Sequence, residues 1–219
     1  MIDVYSWPTP NGHKVHIMLE ECGLKLGRDW RVHPIDIAKG DQFEPGFLKI
    51  SPNNKIPAIV DPDGPDGKPI SLFESGAILL YLGEKTGRFL PRDLRQRVPV
   101  LEWLMWQMGG FGPMPGQVHH FLMQPEGPAR DYGFKRYHDE TKRLYGVLDR
   151  RLEGRDFVAT SGEPSIADFA ILGWAWRHER HQVDLGGLRA IVNKLSEYYR
   201  SKGYLFARAL VPAQDIQNG

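Results

Sequence analysis

In the first 90 residues the apolar positions switch between strand and helix spacing. Ile2 to Ser6 reads as a short strand, broken by Pro8 and Pro10. From Gly12 to Leu24, Val15, Met18, Leu19 and Cys22 recur three or four apart, the period of an amphipathic helix. Trp30 to Ile35 predicts a second strand. Ala58 to Val60 and Pro69 to Leu72 flank Asp61-Pro62-Asp63-Gly64-Pro65-Asp66-Gly67, a turn-rich stretch that suits a hairpin. Ser75 to Thr86 is apolar and helical, with Ser75 placed to cap it. The order is β-α-β, then β-β-α. A parallel unit followed by a hairpin and a last helix predicts a thioredoxin-like domain over residues 1–87.

Beyond Arg92 the pattern is helical. Leu101, Leu104, Met105 and Met108 mark one helix, which Gly109-Gly110 and Gly112-Pro113 should stop. Phe134, Tyr137, Thr141, Leu144, Tyr145, Leu148 and Leu152 form a longer stripe, with charges on the other faces. Ser165-Ile166-Ala167-Asp168 opens the apolar run from Phe169 to Trp176 like a capping box, with Asp in the place of Glu or Gln. These stripes read as core, and Trp103 and Trp106 as packing between the two halves. The fold class is α/β followed by all-α, with a helical bundle domain over residues 93–219.

Composition narrows the function more than the fold. A chain of 219 residues holds one or two domains and buries a core without staples. Its one cysteine, Cys22, excludes an intrachain disulfide, a Cys-x-x-Cys pair and a multi-cysteine zinc site. Cys22 is in phase with the apolar stripe, so it reads as core and not as a nucleophile. Lys and Arg total 28 against 27 Asp and Glu, which gives no support to nucleic acid or an anionic membrane as partner. Apolar runs such as Ala77 to Leu82 are too short to span a bilayer. The start Met-Ile-Asp-Val-Tyr shows no secretory signal, and the cysteine usage suits a reducing, cytoplasmic setting.

Candidate chemistry sits at the ends of helices. Thr9-Pro10-Asn11-Gly12 places a hydroxyl and a carboxamide where a helix N-terminus favours an anion, and a thiolate is one such anion. On that segment alone, turn and cap are the simpler roles for Thr9 and Asn11. A cis Ile56–Pro57 bond would turn the Ile56 backbone outward to pair with an extended peptide, although trans is the commoner form. Glu74-Ser75-Gly76 offers an acid for an amine and helix-end N–H groups for a carboxylate, or a plain cap. His119 and His120 are adjacent and cannot share a helix face, but could border a second-substrate cleft. His178 and His181 are three apart without an evident third ligand, which reads as a solvated face and no metal site.

A helix end for a thiolate, an outward backbone for a peptide and a second helix end for an amino-acid head are together what glutathione requires. Thr-Pro-Asn-Gly-His-Lys (9–14), Ser-Pro-Asn-Asn-Lys-Ile-Pro-Ala-Ile-Val-Asp (51–61), Leu-Phe-Glu-Ser-Gly-Ala-Ile-Leu-Leu-Tyr-Leu (72–82) and Ser-Ile-Ala-Asp (165–168) resemble a glutathione transferase. More narrowly the chain resembles the nu class, the bacterial disulfide-bond reductases related to the prion-forming nitrogen regulator of yeast. The resemblance implies that Thr9 and Asn11 lie beside the glutathione sulfur as the catalytic pair. Gln42 and Lys55 would reach the glycyl end, and Ile56, before a cis Pro57, the cysteinyl backbone. Glu74 and Ser75 would hold the γ-glutamyl amine and carboxylate. Arg136 would reach a second glutathione unit, where the residues alone offer it only an exposed pair with Glu140.

The implied activity is glutathione-dependent reduction of disulfides, with weak transferase and peroxidase activity. Glutathione, reduced or oxidised, would be the co-substrate, with a small disulfide or electrophile as the second ligand. The resemblance also implies a homodimer. A non-catalytic regulator on the same fold and an ordinary electrophile-conjugating transferase are the alternatives. Two departures stand out. Trp7 is bulky for its place beside the site, and Ser201-Lys202-Gly203-Tyr204 lacks an expected proline.

Overall fold

The computed structural model describes residues 1–183. The tail around Ser201 and the end of the helical domain lie outside the described residues. Strand β1 (Ile2–Ser6) sits inside a four-stranded sheet with β2 (Trp30–Pro34), β3 (Ala58–Asp61) and β4 (Ile70–Phe73), in the order β2-β1-β3-β4. β2 lies parallel to β1, reached through helix α1 (Pro10–Glu21). β3 and β4 run antiparallel, with Val4 opposite Ile59 and Ile59 opposite Leu72. That is the expected topology: a parallel pair needs a crossover, and an antiparallel pair needs only a short connection. A 3-10 turn (Asp41–Phe43) and the four-residue α2 (Pro45–Leu48) precede β3; both are too short to leave a periodic signal.

Helix α1 begins two residues before the expected Gly12 and ends three before Leu24. Pro10 opens it, because a first-turn proline loses no hydrogen bond, and Thr9 caps it. Gly23, at φ 81°, ends it. Cys22 is therefore the C-cap, half-buried, with Sγ 3.3 Å from the Thr86 hydroxyl. Helix α3 (Ser75–Thr86) has the expected span, but Glu74 and not Ser75 holds the N-cap position.

Helix α4 (Leu94–Trp106) opens on Asp93, whose carboxylate accepts from Gln96 N–H at 3.1 Å. The glycines after it do not stop the helix as expected. It widens into a π-helical turn (Gln107–Phe111) that leads to α5 (Pro113–Leu122). The wider turn keeps donors paired, as Gly112 N–H reaches Gln107 O at 2.8 Å, and the fully buried Phe111 anchors it. Helix α6 (Pro128–Leu152) is amphipathic, while α7 (Ile166–Ala175) is buried along its whole length. The Asp168 carboxylate accepts from Ser165 N–H (2.8 Å), Ser165 Oγ (2.7 Å) and Val158 N–H (2.9 Å).

The larger core draws Val4, Val15, Met18 and Leu79 from the first half and Leu104, Phe111, Leu144 and Phe169 from the second. A smaller cluster of Ile35, Phe47 and Ala58 backs Ile56. Trp103 and Trp106 pack against the larger, shared core from the second half. Trp106 stacks on Phe111 and Arg151 lies over Trp103, all within the second half. The halves meet where α7 crosses α1. A Cβ at Gly173 would fall 2.5 Å from the Pro10 carbonyl oxygen, so only glycine permits that approach.

Candidate functional site

The N-terminus of α1 carries two side chains with donors to spare. Thr9 Oγ1 accepts from Gly12 N–H at 3.2 Å, which leaves the hydroxyl proton free. Cap and anion donor are therefore compatible roles for it. Asn11 Oδ1 accepts from Trp174 Nε1 at 3.0 Å. That bond fixes the carboxamide and leaves both Nδ2 protons without a protein partner among the described residues. Gly12 has no room for a side chain: a Cβ would lie 2.4 Å from the Trp7 carbonyl oxygen. Trp7 is half-buried, and its carbonyl accepts from Thr9 N–H at 2.7 Å.

The Ile56–Pro57 bond is cis, as the resemblance implies. Among the described residues no hydrogen bond engages the Ile56 N–H or C=O. Lys55 is exposed, and its carbonyl accepts from Ser51 Oγ at 2.8 Å. Glu74 has φ 71°, a conformation that costs a side-chain-bearing residue about 1–3 kcal/mol and persists where surroundings impose it. Asn53 Nδ2 donates to its carboxylate at 3.5 Å, tying the approach to β3 to the start of α3.

Ser75 is buried at the first turn of α3, and Lys14 Nζ reaches its hydroxyl at 3.4 Å. Lys14 also donates to Gln107 Oε1 at 2.9 Å, across the two halves. Burial pulls its pKa down to about 7, against the opposing pull of Glu74. Sequence reasoning missed this residue, although it stands in the Thr-Pro-Asn-Gly-His-Lys stretch. Its phase with Ile17, Met18 and Glu21, all buried, was the available signal.

Other candidates stand apart from this cluster. Gln42 donates to Ile37 O at 3.4 Å, and its Oε1 is buried without a partner. Arg136 is exposed on α6, in a surface pocket with Tyr132, Lys135 and Asp139. Its expected partner Glu140 is taken by Arg143 through two bonds of 2.7 Å, so the surface pair does not form as expected. Cys22 has its thiol pushed up by burial, the wrong direction for a nucleophile.

The histidines divide. His119 is half-buried, with ring centroids 6.2 Å from Trp174 and 4.7 Å from His181. It stands one side chain behind Asn11, while His120 is exposed. His181 is fully buried with Nδ1 2.8 Å from the Tyr145 hydroxyl, which overturns the solvated-face reading. Among the described residues no three His, Cys, Asp or Glu side chains gather as a metal site.

Comparison with known proteins bears on the fold and the family. The family model of the glutathione S-transferase N-terminal domain matches residues 9–85. A model of the ShlB-type POTRA domain matches residues 160–219; the described part of that stretch holds the Ser165–Asp168 cap and α7, and no strand. Disulfide-bond oxidoreductase YfcG of Escherichia coli is 51% identical over 88% of this chain and 87% of its own. URE2 of Eremothecium gossypii is 36% identical over 67% of this chain and 41% of its own. A glutathione transferase of Pseudomonas putida, solved with one glutathione disulfide bound per subunit, superposes with TM-score 0.78 at 43% identity. That match covers 97% of this chain and 91% of the other. A thioredoxin-like sheet, a helical second half and such identity over nearly whole chains place the protein: it belongs to the glutathione transferase superfamily, among the relatives of Ure2.

Proposed function

We propose that this protein is a glutathione-dependent disulfide-bond oxidoreductase of the nu class, in which every reacting sulfur belongs to a ligand. The observation that carries this reading is the free Thr9 hydroxyl proton and Asn11 amide at the α1 N-terminus. The lone cysteine sits at the other end of that 12-residue helix, roughly 18 Å away at 1.5 Å per residue. Thr9 and Asn11 donate to the glutathione sulfur and hold it as the thiolate. The Ile56 backbone pairs with the cysteinyl unit, Glu74 takes the γ-glutamyl amine and Ser75 the γ-glutamyl carboxylate. Gln42 and Lys55 reach the glycyl carboxylate, and Arg136 the second tripeptide.

The thiolate attacks one sulfur of the bound disulfide. A mixed disulfide forms and the other sulfur leaves as a thiolate, which takes up a proton. A second glutathione thiolate attacks the glutathione sulfur of the mixed disulfide, releasing the second thiol and glutathione disulfide. Two glutathiones are oxidised and one substrate disulfide is reduced. The residues contribute alignment and charge stabilisation, not a covalent intermediate. The same thiolate supports weak conjugation and peroxide reduction. A cytoplasmic homodimer completes the reading, supported by the single cysteine and by the nu-class resemblance.

The test is turnover of a small model disulfide with reduced glutathione. Activity should require glutathione and survive Cys22→Ala with less than a tenfold loss. A parent protein that binds glutathione without turnover would overturn the enzyme in favour of a regulator.

A further inference from the structure

Lys14 has no part in the sulfur chemistry, yet it is the charge that joins the site to the second half. It is 1% exposed. Its Nζ lies 2.9 Å from Gln107 Oε1, 3.4 Å from Ser75 Oγ and 3.9 Å from Met108 Sδ. It makes no ion pair among the described residues. Glu74 is the charged group that faces it. The π-helical turn offers the neutral Gln107 and Met108, and α7 offers Gly173 against its Cγ. Its hydrogen-bond partners are all neutral and Glu74 compensates the buried ammonium only in part, so burial holds its pKa near 7. The same spot is the N-terminus of α3, where unpaired N–H groups already favour an anion.

We propose that Lys14 is a positioning residue for the γ-glutamyl end of glutathione: it holds the Ser75 hydroxyl, and its ammonium is the buried counter-charge of the ligand carboxylate. The inference rests on the glutathione reading above. Its consequence is a linkage. A carboxylate arriving at Ser75 favours the charged form of Lys14, so binding draws a proton from solvent wherever free Lys14 is neutral.

Calorimetry with S-methylglutathione, which has no thiol proton, measures this directly. Titrations in buffers of different ionisation enthalpy, from about pH 6 to about pH 8.5, count the protons taken up per ligand. The ligand α-amine titrates in the same range, so the quantity read is the difference between parent and Lys14→Met. The parent should take up additional protons above about pH 7, and its affinity should fall several-fold more steeply with pH than that of Lys14→Met. Gln107→Glu gives Lys14 an internal carboxylate and should remove the same linkage with the lysine in place, whether or not Lys14→Met folds well. Equal proton uptake in the parent and the variants overturns the inference alone. A parent that does not bind S-methylglutathione overturns the glutathione reading, and this inference with it.

Discussion

A hydroxyl that accepts a cap bond keeps its own proton, and a carboxamide whose oxygen is held by an indole has its nitrogen to offer. Thr9 and Asn11 are those two groups. Removing either should raise the pKa of the bound thiol by about one to two units, the worth of one charge-assisted hydrogen bond of ~1.5–3 kcal/mol. Asn11→Ala should show the larger shift, since its amide carries two donors against one. Ultraviolet absorbance of the thiolate, followed against pH with glutathione bound, measures both; two variants that titrate like the parent would reduce the pair to turn and cap. The proposed role of Arg136 is tested at the same scale. Glu140 is committed to Arg143, so the Arg136 guanidinium is available to a ligand. Arg136→Ala should weaken oxidised glutathione more than reduced glutathione, and equal losses by calorimetry would remove it from the site. That Thr9, Asn11, Glu74 and Ser75 stand at helix starts was legible in the sequence, because helix starts carry local signals. The phase of Lys14 with Ile17 and Met18 signalled its burial, but its hydrogen-bond partner Gln107 lies 93 residues away in the chain and left no local sign.

Among the elements, α7 depends most visibly on one side chain. The Asp168 carboxylate satisfies two donors of Ser165 and the Val158 N–H while fully buried. Asp168→Ala leaves those donors stranded and should destabilise the protein by about 2–4 kcal/mol. Denaturant unfolding checks this, and Asp168→Asn should recover part of the loss by keeping an acceptor. The capping box, α3 and the stripe of α6 were readable because cap, period and stop agree there. The π-helical turn was not. Gly109 and Gly110 read as a stop, but the buried Phe111, packed between Trp106 and Tyr145, anchors the helical backbone that runs through them. Tertiary packing overrides a local breaker at that point.

At the scale of the whole molecule, the half-buried His13, His16 and His119 and the buried His181 are held as neutral rings. Burial pulls His13, His16 and His119 down to about 4 and His181 to about 3, each from an ordinary 6.5. Their folded pKa lies below the unfolded one, so stability is full above pH 6.5 and is lost as pH falls toward 4. Glu21, pushed up to about 7 by burial, works in the opposite sense over that window and offsets about one histidine. Asp168, raised by its full burial, works in the same sense as Glu21, and the four histidines outnumber that pair. Thermal unfolding from pH 7.5 to 4.5 should show a steep acid-side fall, and a flat profile would contradict the buried rings. The seam between α1 and α7 carries a different consequence. Asn11 is aimed by Trp174, and α1 closes only against the bare backbone of Gly173. The proposed sulfur end of the site is thus encoded twice, once near the start of the chain and once some 160 positions later. A chimera that joins residues 1–87 to the helical half of another relative inherits the tripeptide grip but not the aim of the amide, unless the glycine and the tryptophan come with it. The two halves are therefore exchangeable only as matched pairs of residues across that seam.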